Sequence, residues 1–219
     1  MKNKELAKFF EYAWEYVENN WPEDIEITLD TSPITFDKLS SEEFIAEYCW
    51  VVYCSGFKVS TVEKYFPAIK KAFKGFDLKK INDMKSLEPV LEVFANKQRA
   101  NGFLKGVKAI YKEGWPNFKK RLGKGGMTVL KELPMIGDIT KNHLAKNIGL
   151  ADVAKDDVWL VRLRDEFEAN SVSVLVKYLA ERFDISLHTV DIVLWRFCSE
   201  KRWRDDGSTS LRVFIKNNC

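Results

Sequence analysis

Apolar residues recur along this chain at three- and four-residue intervals almost from end to end, the period of helices that bury one side. Leu6, Phe9, Phe10, Ala13, Trp14 and Val17 make the first such face, and Asn19-Asn20-Trp21-Pro22 ends it. Residues 23 to 38 lack a clean period and predict an irregular connection, extended at Ile25 to Leu29. Ser40 with Glu43 has the form of a capping box. The helix it opens is apolar on nearly every side from Phe44 to Cys54, as the central helix of a bundle is. Ser55-Gly56-Phe57-Lys58 breaks it. The spacing predicts further helices over 59–73, 86–94, 97–111 and 116–122. Gly123, Gly125 and Gly126 then lead to a short helix, a tight Leu133-Pro134-Met135-Ile136-Gly137 turn and a second helix over 138–148. Helices at about 158–167, 171–183 and 187–200 complete the chain. About ten short helices, with no repeat and no low-complexity tract, predict an all-α fold.

Composition narrows the class. A chain of 219 residues, 46% hydrophobic and 31% charged, is long enough for a sizeable core and too apolar for disorder. The net charge of +3 hides an asymmetry. Residues 1–30 hold three lysines against eight acids, whereas 97–146 hold twelve Lys or Arg against Glu113, Glu132 and Asp138. That is −5 against +9, the balance of a molecule that presents one face to a polyanion. Ordinary solvated helix faces give the same tally. Cys49, Cys54, Cys198 and Cys219 lack metal-ligand spacing. No run approaches the roughly 20 apolar residues of a membrane span, and the N-terminus has no signal core. A cytoplasmic location is expected, or a nuclear one in a eukaryote.

Two strings carry candidate chemistry. In Leu133-Pro134-Met135-Ile136-Gly137-Asp138-Ile139-Thr140, Gly137 and the helix beside it can aim backbone N–H groups at a phosphate, with Thr140 and Lys141 adding side-chain contacts. Past the second helix comes a carboxylate with an apolar flank, Asp157-Val158-Trp159-Leu160-Val161-Arg162. Helix, hairpin, helix and acid in this order resemble the helix-hairpin-helix (HhH-GPD) DNA glycosylase superfamily, with an endonuclease III-like fold. Only about 37 residues, Met127 to Leu163, carry the specific motifs.

The resemblance implies a two-lobed all-α fold with the hairpin at the cleft between the lobes. One lobe would span 39–149, the other 1–38 plus 150–219. It implies a base-excision repair enzyme acting on double-stranded DNA as a monomer, away from membranes. The hairpin would grip the backbone through Gly137, Ile139, Thr140 and Lys141, with Lys97 and Arg99 following phosphates from the next basic helix. Asp157 would stabilise an oxocarbenium-like sugar or orient water. Counting back five from Arg162 selects Asp157 over Asp156, although either suits a helix N-cap. Relatives that also cut the backbone carry a Schiff-base lysine where this chain has Ile139, so the activity implied is monofunctional and leaves an abasic site. Lys141, two positions on, is a possible substitute amine. Phe57 is the wedge candidate for the gap left by an extruded base. Tyr48, Trp50, Tyr53 and Trp159 are the rings nearest the implied base pocket, although a core role is the stronger reading for each.

Some relatives hold an iron–sulfur cluster on four closely spaced cysteines. The tail here offers Cys198 and Cys219, so no cluster and no other cofactor is expected, a monovalent cation at the hairpin excepted. Neither His143 nor His188 has a paired acid or thiol at catalytic spacing. Met135 stands where the family pattern has glycine, so the turn must avoid positive φ there or bear strain. Asp138 is an unhelpful neighbour for a phosphate. Both favour a competing reading, a non-catalytic DNA-binding module.

Overall fold

The structure, a computed structural model, describes residues 1–29, 34–201 and 210–219, and these are helical with short connections. They divide into two compact units, Met1–Ser32 with Asp152–Cys219, and Pro33–Ala151.

The first unit joins the two ends of the chain. Its helices are α1 (Asn3–Asn20), α2 (Pro22–Leu29), α12 (Val158–Glu166), α13 (Val172–Phe183), α14 (Leu187–Ser199) and α15 (Leu211–Asn218). Rings from four segments meet at the core: Phe9 lies 5.6 Å from Phe167, 5.4 Å from Phe197 and 6.1 Å from Phe214. Leu160, Leu163, Leu175, Leu179 and Leu194 fill the space around them. Burial of this kind contributes roughly 1.5–3 kcal/mol per large apolar side chain.

The expectation of an irregular connection is corrected for residues 23–29 and 34–38; its middle, 30–33, lies outside the described residues. The β-branched Ile25, Ile27 and Thr28 suggest extension, but Pro22 opens α2 at a helix's first turn, where its missing N–H costs nothing, and Glu23 and Asp24 complement the helix dipole. Ile25 is buried, and Thr28 returns its hydroxyl to the Ile25 carbonyl at 2.7 Å. A further short helix, α3 (Ile34–Lys38), lies in the other unit. Nor does the helix at 187–200 complete the chain: Ser210 caps α15 through the Val213 N–H, and Leu211 and Phe214 bury its apolar side.

The second unit contains α4 (Ser41–Cys54), α5 (Val59–Ala72), a 3-10 turn at Lys74–Phe76, α6 (Leu78–Asn82), α7 (Glu88–Val93), α8 (Lys97–Glu113), α9 (Trp115–Gly125), α10 (Met127–Leu130) and α11 (Asp138–Asn147). Its centre is α4, opened by the expected Ser40–Glu43 capping box. Phe44, Tyr48 and Tyr53 of α4 are fully buried, Tyr48 against Phe103 at 5.2 Å and Phe44 against Phe118 at 5.3 Å. The Asn147 amide donates to Glu47 at 2.8 Å and ties the end of α11 to α4.

Candidate functional site

The hairpin consists of α10, the turn 131–137 and α11. Leu133 and Ile136 are buried and fasten the turn from below. The Tyr48 hydroxyl donates to the Pro134 carbonyl at 2.6 Å. Two glycines of α8 make this seating possible. A Cβ on Gly106 would meet the Tyr48 ring at 2.7 Å, and one on Gly102 would stand 2.5 Å from Met135 Cγ. Met135 has φ +69°, the left-handed region where a side chain costs roughly 1–2 kcal/mol. The turn therefore bears strain at Met135.

The contacts at the start of α11 differ from expectation. The Gly137 N–H does not point outward for a phosphate: it donates to Thr140 Oγ1 at 2.7 Å, so both groups serve the helix cap. Asp138 is held by Lys131 at 2.8 Å and Lys141 at 2.9 Å, and these two lysines keep its carboxyl down at about 2. Ile139 is half exposed, at 51%. Lys97 is exposed on the first turn of α8, followed by exposed Lys105, Lys108 and Lys112.

Arg99 is not a free backbone contact. Its guanidinium donates to the carbonyls of Val52 at 2.5 Å, Tyr53 at 2.8 Å and Ser55, satisfying the C-terminal end of α4. It also lies 4.6 Å over the ring of Phe57. Phe57 is 39% exposed and meets Phe94 edge-on at 5.2 Å. Of the candidate pocket rings, Tyr48 and Tyr53 have no exposed surface and line no open pocket; both are core. Trp50 is partly buried against Phe66 at 5.0 Å, and Trp159 is partly buried with Arg162 4.7 Å above it.

In the other unit, Asp157 is the N-cap of α12: Oδ1 accepts the N–H groups of Trp159 at 2.8 Å and Leu160 at 3.0 Å. Its side chain is 12% exposed, whereas Asp156 is exposed. Burial raises the Asp157 carboxyl above the usual aspartate range, against the opposing pull of Lys155 and the two N–H groups. Lys155 Nζ stands 3.6 Å from Oδ2, the oxygen not engaged by the cap. The segment before α12 is tied to α14 by two more aspartates: Asp152 accepts the N–H groups of Leu187 and His188, and buried Asp191 accepts the Lys155 N–H at 3.1 Å. Sequence reasoning missed Lys155 and Asp152. Only the Lys-Asp-Asp string hinted at the first, and nothing local couples residue 155 to residue 191.

Among the described residues, no group of three or more His, Cys, Asp or Glu side chains could hold a metal ion, and no helix is long and apolar enough to cross a membrane. A cation at the hairpin would draw on loop carbonyls. Those of Leu130, Leu133 and Pro134 each accept one bond, from Leu133, Ile136 and Tyr48 respectively.

No protein-family profile and no curated protein matches this sequence. Among solved structures, the chain is similar to the 8-oxoguanine glycosylase/lyase of Methanocaldococcus jannaschii, solved in complex with a 15mer DNA containing 8-oxoguanine. The match has a TM-score of 0.61 and covers 86% of this chain and 96% of that one, at 16% identity. The fold is that of a DNA glycosylase. Within this glycosylase fold the hairpin lies in one unit and the candidate acid in the other.

Proposed function

We propose that the chain is a DNA glycosylase that hydrolyses the N-glycosidic bond of a damaged or modified base extruded from duplex DNA. One observation carries the reading: a glycosylase fold in which a carboxylate, Asp157, is buried with one oxygen fixed by two backbone N–H groups and the other 3.6 Å from a lysine ammonium. A carboxylate fixed in this way cannot swing to solvent and meets developing positive charge without reorganisation. As the glycosidic bond breaks, its electron pair leaves on the base, and the sugar C1′ becomes oxocarbenium-like. Asp157 stabilises that charge, water adds to C1′, and its proton leaves with the base or to solvent.

The remaining parts have assigned roles in this reading. The strained turn and the start of α11 bind backbone phosphates, with Lys131 and Lys141 supplying charge once they release Asp138. Phe57 fills the space of the extruded nucleotide. Because residue 139 is isoleucine, no amine stands at the position used for Schiff-base chemistry, and the reaction stops at the abasic site. A purely DNA-binding role is the second reading. It is favoured by the capping duty of Asp157, which alone would justify an aspartate there. Release of free base from lesion-bearing duplexes, 8-oxoguanine first, decides between them.

A further inference from the structure

We propose that Lys155 is the positioning residue of Asp157: its ammonium, held in a mostly buried niche against α14, keeps the carboxylate charged and its second oxygen fixed. This inference rests on the reading of Asp157 given above and adds a residue to it.

The geometry is specific. Lys155 is only 19% exposed at its side chain, unusual for a lysine on an irregular segment. Its backbone is anchored, because the N–H donates to Asp191, itself 1% exposed on α14. Its Nζ lies 5.9 Å from the centre of the Trp195 ring, one turn further along α14, and 3.6 Å from Asp157 Oδ2. The lysine thus reaches the carboxylate from a backbone fixed by one buried acid and along an aromatic face. A lysine that served only solubility would extend to water.

The charge arithmetic explains the need. Asp157 gives Oδ1 to the α12 cap, and burial opposes its ionisation. Asp191 on α14 adds a second negative group that opposes it further. Cys198, also on α14, is a fully buried thiol driven upward in pKa chiefly by burial, so it contributes no charge. Arg162 on α12 is stacked over Trp159. Lys155, 3.6 Å from Oδ2, is a cation in direct contact with the carboxylate. Without it, a buried aspartate beside Asp191 protonates more readily, and a protonated acid cannot stabilise an oxocarbenium ion.

The test is the titration of the Asp157 carboxyl carbon by NMR in aspartate-labelled full-length protein. The resonance is assigned by its loss in Asp157→Asn. In Lys155→Met, which keeps length and apolar contact with Trp195, the midpoint should rise by about one pH unit or more. Lys155→Arg should hold it close to wild type, and Lys155→Gln is the second neutral variant should Met disturb folding. An unchanged midpoint in a folded neutral variant overturns the proposal. No DNA enters this measurement, so its failure is separate from a failure to release base, which would overturn the glycosylase reading alone.

Discussion

Gly102 of α8 lies beneath the side chain of Met135 so closely that a Cβ there would come within 2.5 Å of Met135 Cγ and 3.1 Å of its sulfur. The hairpin turn thus depends on a missing side chain in a neighbouring helix, and the strained φ of Met135 is maintained by that seat and by the Tyr48–Pro134 hydrogen bond. The two positions should therefore be coupled. In wild type, Gly102→Ala should destabilise the protein, despite a helix-propensity gain of about 1 kcal/mol. In a Met135→Gly background, where both the clash and the strain disappear, the same change should become neutral or stabilising. Chemical denaturation of the four proteins of the cycle should show a coupling on the order of 1 kcal/mol or more. Strict additivity would mean that the turn does not rest on Gly102.

The charges at the hairpin point to an effect on DNA affinity. Asp138 occupies Lys131 and Lys141 in the free protein. Asp138→Asn should release both lysines and tighten binding to any duplex, whereas Lys141→Glu should weaken it for all sequences alike. Each additional phosphate neutralised steepens the salt dependence by about 0.9 log units. Fluorescence anisotropy over a range of salt concentrations checks this. A slope for Lys141→Glu equal to that of wild type would remove Lys141 from the interface.

Asp157 should show a conflict between function and stability. Its folded-state carboxyl is raised by burial. A raised aspartate favours folding most when protonated, below its unfolded value of about 3.9, and opposes folding as pH climbs through the folded value. Asparagine caps helices about as well as aspartate. The melting temperature of Asp157→Asn relative to wild type should therefore rise between about pH 4 and pH 7. A difference that falls over this interval would show that ionised Asp157 stabilises the fold.

Ile139 sets the expected end of the reaction. Its side chain is half exposed at the start of α11 and offers no amine. Borohydride treatment of the protein with abasic-site duplex should trap no covalent adduct, and strands should break only after alkali. An adduct formed in good yield would contradict this and turn attention to Lys141 and to Lys155, whose amine lies 3.6 Å from Asp157.

What could be read in the sequence was what is local. The apolar spacing of α1 and α4, the Ser40–Glu43 box and the hairpin turn all depend on residues within a few positions of one another. The failures are of another kind. α2 formed against the β-branched bias of its residues because Pro22 and two acids favour a helix start. Arg99 looked like a phosphate contact because its acceptors, the carbonyls at Val52, Tyr53 and Ser55, lie more than forty residues away in sequence. Tyr48 and Tyr53 follow the stronger of their two readings, since both are fully buried in the core. Lys155 escaped notice because the groups that hold it, Asp191 and Trp195, come from α14.

The most direct test of the central claim is single-turnover release of free base, followed by mass spectrometry, from duplexes bearing 8-oxoguanine and a panel of alkylated, oxidised, mismatched and modified bases. Wild type and Asp156→Asn should release base from at least one duplex at similar rates, while Asp157→Asn should be slower by on the order of 100-fold or more with DNA affinity retained. Full activity in Asp157→Asn, or no base released from any duplex by wild type, would contradict the account.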